Sequence, residues 1–220
     1  QGGLAALQHA IHLLRERHAP VCLIGGVDSY KDIDTLHWLE SLDRLKRDHQ
    51  PHGFIPGEGS GFVLVCSKAF AQRYNLQPLA EIVALSQAME PNPWYMGHAT
   101  QGQGLTQTLH ELFDQVVPPY PKKADVVFCD LNGESWRVDE WGYAYLRTGR
   151  YHGEPLAIRH PADCWGDVGA ATSTLLLGLS TYHLCHRHNL DRTALIWSAA
   201  DTRPWRAACL LQKIEGAKIQ

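Results

Sequence analysis

Two short stretches concentrate the side chains that can do chemistry. In the first, Asp130, Asn132 and Glu134 alternate, and Arg137, Asp139 and Glu140 follow at once. In the second, Asp163, Cys164, Gly166 and Asp167 lie within five residues. Carboxylates clustered near an arginine can move protons, with one shifted toward the acid form and another held as the base. The same residues can equally be helix caps and ion pairs, since Glu134 and Asp167 each suit the first turn of a helix. Cys164 is either a thiol activated at the mouth of a helix or a buried structural one. A third stretch, Gly53-Phe54-Ile55-Pro56-Gly57-Glu58-Gly59-Ser60-Gly61, carries glycines that allow close backbone approach, either by a ligand or by the chain itself. His183, His186 and His188 have a spacing that can hold a metal on one helix face. A helix C-terminus also favours histidine for dipole and solvent reasons, and neither metal nor cofactor is expected.

The elements that must position these groups follow from periodicity. Leu4, Leu7, Ile11 and Leu14 mark an amphipathic helix over residues 4–17. Val21–Ile24 is a continuous apolar run ending at Gly25-Gly26, as in a strand covered on both faces. A short helix is expected over 33–46, a loop over 47–60 and a strand over 62–66. Ser67 can cap a helix over 68–74. Further strands are expected at 79–85, 126–130, 156–159, 193–198 and 205–212, with helices at 106–117 and 134–147. One long helix is expected to run unbroken from Asp167 to His188. Strands alternating with helices and closing in an antiparallel pair give an α/β fold, a mixed sheet layered with helices. No sequence repeat or disordered linker is evident.

Composition narrows the function classes. The chain has 220 residues, is 45% hydrophobic and 20% charged, and carries a formal charge of −3. No basic cluster suits nucleic acid, and the longest apolar run is too short to cross a bilayer. The six cysteines are scattered without a Cys-x-x-Cys pair, which points to free thiols in a reducing compartment, the cytoplasm. The sequence opens on Gln1-Gly2-Gly3-Leu4, already the start of a helix, and a preceding segment is expected to complete it.

Gly25-Gly26-Val27-Asp28-Ser29 followed by Gly53–Gly61 resembles the β-ketoacyl synthases of the thiolase superfamily. These have a Gly-Gly-Val-Asp strand end and then a Gly-Phe-(Val/Ile)-Pro-Gly-Glu-Gly-x-Gly segment. In chain order, Leu131-Asn132-Gly133 stands where that family has His-Gly-Thr. Asp163-Cys164-Trp165-Gly166-Asp167-Val168-Gly169-Ala170-Ala171 stands where it has its second histidine and a Gly-Ala-Ala helix start. The resemblance covers the whole chain. It implies a thiolase fold with a mixed five-stranded sheet, residues 1–76 ending the N-terminal half and 77–220 forming the C-terminal half.

The resemblance also implies what is missing. The family condenses acyl thioesters with a Cys nucleophile and two His. Here the nucleophile position falls one residue before Gln1, or on Gln1 after a one-residue slip. Gln before Gly-Gly-Leu is similar to chain-length-factor subunits. Asn132 and Asp163 stand at the two His positions. Asn can donate to a carbonyl oxygen but shuttles no proton, and a carboxylate repels an enolate. Ile158 or Arg159 falls where the family has Lys, and Ser198-Ala199-Ala200-Asp201 replaces its Gly-Phe-Gly-Gly loop. The leading expectation is a ketosynthase-like, acyl-handling protein with an altered site. Asn132, Asp163 and Glu134 would be its reactive residues, with Gly57, Gly59, Cys164, Gly166 and Asp167 around an acyl thioester or acyl carrier protein. All of these are expected to face one cavity. One alternative is an inactive partner that forms a homodimer, or a heterodimer with an active ketosynthase. The other is new chemistry built on the carboxylates.

Overall fold

The computed structural model describes residues 2–186 and 188–217. Its elements, in order, are α1 (Gly2–Arg15), β1 (Val21–Ser29), α2 (Ile33–Ser41), β2 (Glu58–Cys66), α3 (Lys68–Arg73), β3 (Ala80–Met89), α4 (Gln103–Asp114), β4 (Ala124–Cys129), α5 (Ser135–Thr148), β5 (His152–Arg159), α6 (Ala162–Trp165), α7 (Thr172–Cys185), β6 (Thr193–Ala199) and β7 (Trp205–Lys213).

β3-β7-β6-β4-β5 form one mixed sheet. β4 runs parallel to β5 and β6, and β7 runs antiparallel to β6 and β3. The two-residue period of the strands divides their side chains between two cores. Val127, Cys129, Leu195 and Trp197 meet Leu105, Leu109, Leu112 and Phe113 of α4 and Trp141 of α5. Val126, Phe128, Ala194 and Ile196 meet Leu4 and Leu7 of α1 and Leu176, Leu177 and Leu184 of α7. Both faces are covered, so these strands read as unbroken apolar runs.

A second sheet of two strands, β1 and β2, lies on the far side of α1 and α7. The order of layers is thus α4/α5, five-stranded sheet, α1/α7, two-stranded sheet. β1 and β2 pair antiparallel, Val21 opposite Cys66 through Ser29 opposite Glu58. Ile24 and Val65 are buried toward the helices, whereas Leu23 and Val27 are each 67% exposed on the other face. The run Val21–Ile24 is therefore not covered on both sides, because it has only β2 beside it and helices on one face.

Local signals account for most ends. Asp32 caps α2, its Oδ2 accepting from the Thr35 amide at 2.9 Å, and Ser67 caps α3 through the Phe70 amide at 3.2 Å. α2 stops at Ser41, five residues short of the helix expected there, and β2 begins already at Glu58 inside the expected loop. The helix expected from Asp167 to His188 is broken. Gly166 (φ 78°) and Gly169 (φ 53°) take left-handed values that interrupt a right-handed helix. α6 stands apart, and α7 starts only at Thr172. Among the described residues, no helix is long and apolar enough to cross a membrane.

Candidate functional site

The parallel strands β4 and β6 end side by side, and the segments leaving them carry the polar cluster. The last turn of β4 leads through Asp130-Leu131-Asn132-Gly133-Glu134 into α5. The Asp130 Oδ2 accepts from Arg137 Nη1 at 2.7 Å and from the Ala199 amide at 2.8 Å, which ties the end of β4 to the end of β6. Asn132 is fully committed. Its Nδ2 donates to Asp167 Oδ2 at 2.7 Å and to Glu134 Oε2 at 3.1 Å, and its Oδ1 accepts from the Glu134 amide at 3.1 Å. Glu134 sits at the position that would cap α5 but makes no capping bond; its carboxylate turns instead to Arg44.

Arg44 comes from the segment joining α2 to β2 and is the member that sequence reasoning missed. Its Nε and Nη2 reach Glu134 at 2.7 and 2.9 Å, while Nη1 and Nη2 reach Asp201 at 2.9 and 2.7 Å. Such two-pronged guanidinium–carboxylate pairing fixes orientation as well as charge. The same guanidinium lies 5.3 Å from the Phe54 ring and 4.8 Å from Trp94, which stacks on Trp136 at 6.0 Å. Arg137 also lies over the Trp136 ring, at 4.4 Å. A signal was available in the charge count: one guanidinium, Arg137, does not neutralise Asp130, Glu134, Asp167 and Asp201. Arg44 and Arg137 pair with Asp130, Glu134 and Asp201, while Asp167 is held by Asn132 and the Gly169 amide. The excess negative charge is felt locally. Burial pushes the Asp130 carboxyl up, with Arg137 opposing, and burial with Asp167 and Asp201 nearby pushes the Tyr30 phenol up. Burial opposes the charge of Arg44, yet Asp201 and Glu134 hold it protonated beyond its ordinary value.

The glycines serve the chain's own packing. A Cβ on Gly57 would stand 2.4 Å from the Trp165 carbonyl oxygen, and one on Gly59 would stand 3.2 Å from Leu175. Gly57 N donates to the Asp167 carbonyl and Asp167 N to the Ile55 carbonyl, both at 2.7 Å. The amides ahead of α7 are also taken, Gly169 by Asp167 Oδ1 and Ala170 by Asp28 Oδ2, both at 2.8 Å.

The structure thus brings Asn132, Glu134, Gly57, Gly166 and Asp167 together but not the other three expected members; Gly59 packs instead against Leu175 and Val168. Asp163 and Cys164 lie on α6, face away from Asn132 and are exposed. Asp163 Oδ2 pairs with His160 Nδ1 at 2.7 Å. The break at Gly166 and Gly169 explains the separation, since Cys164 is not at the mouth of α7. Its thiol is exposed rather than buried. The space left beside Asn132, Gly166, Asp167, Thr172 and Leu176 is about 10 Å³. That admits one water and no acyl chain. Asp130 Oδ1, at its border, has no hydrogen-bond partner among the described residues. Gln1, the alternative nucleophile position, lies outside the described residues. Its neighbour Gly3 packs against Ser173 and Thr174, so α1 starts beside the start of α7. Among the described residues no group of three His, Cys, Asp or Glu is arranged to hold a metal.

Comparison with known proteins agrees with this architecture. A family model, "Beta-ketoacyl synthase, N-terminal domain", matches residues 2–71. No curated protein sequence matches the chain. Among solved structures, an oxazolomycin ketosynthase domain of Streptomyces albus JA3453 superposes with a TM-score of 0.82 at 16% identity, over 96% of this chain and 44% of that one. The ishigamide ketosynthase/chain length factor superposes at 0.79 and 14% identity, over 97% of this chain and 59% of that one. A type II polyketide ketosynthase in complex with its acyl-carrier protein superposes at 0.79 and 16% identity, over 96% and 60%. The chain spans between 44% and 60% of the lengths of these structures. The chain thus has the thiolase-like fold of these ketosynthases, and at these identities the likeness is one of fold.

Proposed function

We propose that the protein is a ketosynthase-like subunit that does not itself condense acyl thioesters and works as the partner of an active ketosynthase. One observation carries this reading. Asn132 and Glu134, at and beside a position where the related enzymes place a histidine, are locked into a buried ion network with Arg44, Arg137 and Asp201. Condensation needs a group that polarises the thioester carbonyl and one that stabilises the enolate. Asn132 has spent both amide protons, and the carboxylates around it disfavour a developing negative charge. The second expected histidine position, Asp163, faces another cavity. That the ishigamide relative is itself a ketosynthase/chain length factor gives the partner role a precedent within the fold.

The full-length protein is tested with a malonyl thioester, alone and mixed with a condensing ketosynthase from the same organism. The expected result is no carbon dioxide released by the protein alone, no acyl adduct in intact-mass analysis with an acyl-thioester analogue, and a stoichiometric complex with the ketosynthase. Decarboxylation by the protein alone that is lost in Asn132→Ala overturns the reading in favour of an acyl-handling enzyme. Activity that needs Glu134 and Asp163 together would favour chemistry built on the carboxylates.

A further inference from the structure

A cavity of about 660 Å³ lies on the opposite side of Pro161 from the ion network, between the end of β4, α6 and the last turns of α7. Pro161 is the one described residue bordering both spaces. The size falls in the range of small-molecule sites, roughly 300–1,000 Å³. Its floor is apolar and aromatic: Phe128, Leu179 and Tyr182. Phe128 is 2% exposed, and its ring meets His183 edge-on at 5.4 Å.

The charges around this floor are unequal. Among the described residues Asp163 is the only carboxylate lining the cavity, and it is committed to His160. Asp191, just outside, accepts from or pairs with His183 Nε2 at 2.7 Å. Arg159, on the wall, has one polar contact, donating Nη1 to the Ile158 carbonyl at 3.1 Å, and no carboxylate partner among the described residues. An apolar floor beside an unneutralised guanidinium favours a ligand with a flat apolar body and an anionic head.

We propose that this cavity binds an organic carboxylate of aromatic or short acyl body, its head on Arg159 and its body against Phe128, Leu179 and Tyr182. The site is independent of the polar cluster at Asn132. It gives Asp163 and Cys164 a place in the molecule, as the wall of a ligand cavity rather than as part of a condensing site.

The test uses 1-naphthylacetate and 1-naphthylethylammonium, which share a body and differ in the sign of the head. Cys164 lines the cavity and is the exposed cysteine, so its alkylation by iodoacetamide, read by peptide mass, reports occupancy in the unmodified full-length protein. Saturating naphthylacetate is expected to slow Cys164 alkylation at least fivefold, an order-of-magnitude figure for occlusion of the thiol. The ammonium analogue is expected to leave it unchanged. Arg159→Gln should weaken naphthylacetate by about tenfold, and Arg159→Lys should restore part of that loss. Arg159 is exposed, so circular dichroism should show both variants folded. Inorganic phosphate protecting Cys164 as well as naphthylacetate does would remove the role of the apolar body and overturn the proposal. So would equal protection by both naphthyl compounds, no protection by either, or an affinity indifferent to Arg159→Gln.

Discussion

The two sheets are built from similar-looking strands and meet different surroundings. Val21-Cys22-Leu23-Ile24 in β1 and Ala194-Leu195-Ile196-Trp197 in β6 are both unbroken apolar runs. In β6 all four side chains are fully buried, alternating between the α4/α5 layer and the α1/α7 layer. In β1 only Ile24 is buried; Leu23, with Val27, Phe62 and Leu64, faces outward. An apolar run thus reports that a strand can be covered on both faces, and the neighbouring layers decide whether it is. The polar cluster sits where the two regions meet. Arg44 belongs to the segment between β1 and β2, and its carboxylate partners Glu134 and Asp201 follow strands of the large sheet. Three hydrogen bonds, Gly57 to Asp167, Asp167 to Ile55 and Ala170 to Asp28, reinforce the same seam. The ion network latches the small sheet to the large one.

The largest expected effect tests that latch. Arg44→Met leaves Glu134 and Asp201 with only the longer Arg137 contacts, at 3.5 and 4.0 Å, in a site where Arg44 is only 6% exposed. Stranding a buried charge costs about 3–5 kcal/mol, so the thermal midpoint should fall by roughly 10 °C in a chain of this size. Adding Glu134→Gln and Asp201→Asn should recover most of that loss, because the cost lies in the uncompensated carboxylates rather than in the missing bonds. A loss below about 1 kcal/mol for Arg44→Met alone would remove the latch.

The next effect calibrates the large sheet. Leu195→Ala, in the middle of β6, empties space between Leu109, Trp141 and their neighbours and should cost about 2–5 kcal/mol by denaturant titration. The same truncation at Leu23 gives the contrast, because that side chain already touches water over most of its surface.

A third effect separates the two regions by pH. His152, at the start of β5, is 1% exposed, and its ring is packed by Trp141 and Tyr145. Burial first, and Lys123 second, lower its pKa to about 4. A histidine depressed in the folded state is kept neutral, so its contribution is fully present above the unfolded pKa of about 6.5 and is lost as pH falls through about 4. Across that window the large sheet should lose on the order of 3 kcal/mol. His152→Asn should flatten that part of the stability profile. A wild-type profile that is flat between those pH values would break the assignment.

The sequence made the order and class of elements legible because periodicity reports which faces are apolar, and the motif spacing around Gly25-Gly26 and Gly53–Gly61 carried the family resemblance. Asp130, Asn132, Glu134 and Asp167 were legible as a cluster because their alternation and helix-start positions converge on one strand end. What stayed hidden depended on long-range contacts. Arg44 is 90 residues from Glu134 and 157 from Asp201, and nothing local marks it as their partner. The separation of Asp163 and Cys164 from the cluster turns on two glycines adopting positive φ, a choice made by the close approach of the Ile55–Gly57 backbone to Gly166. Gly in a helix-like run is compatible with either outcome, so spacing alone reads the stretch as continuous.

The smallest expected effect sharpens the contrast between the sheets most directly. Leu64 is 63% exposed on the outer face of β2, opposite Leu23 in register. Leu64→Thr keeps a residue well suited to a strand while removing apolar surface that is already wetted, and surface substitutions of this kind stay within about 0.5 kcal/mol. The measurement is the midpoint of denaturant unfolding for the full-length protein, beside Leu195→Ala. If Leu64→Thr instead costs about 2 kcal/mol or more, its side chain must be buried in the full-length protein. The two sheets would then be equivalent strands under different cover. A null result with unchanged association would instead leave Leu23, Val27, Phe62 and Leu64 as an apolar surface that tolerates water, and the asymmetry would belong to the fold itself.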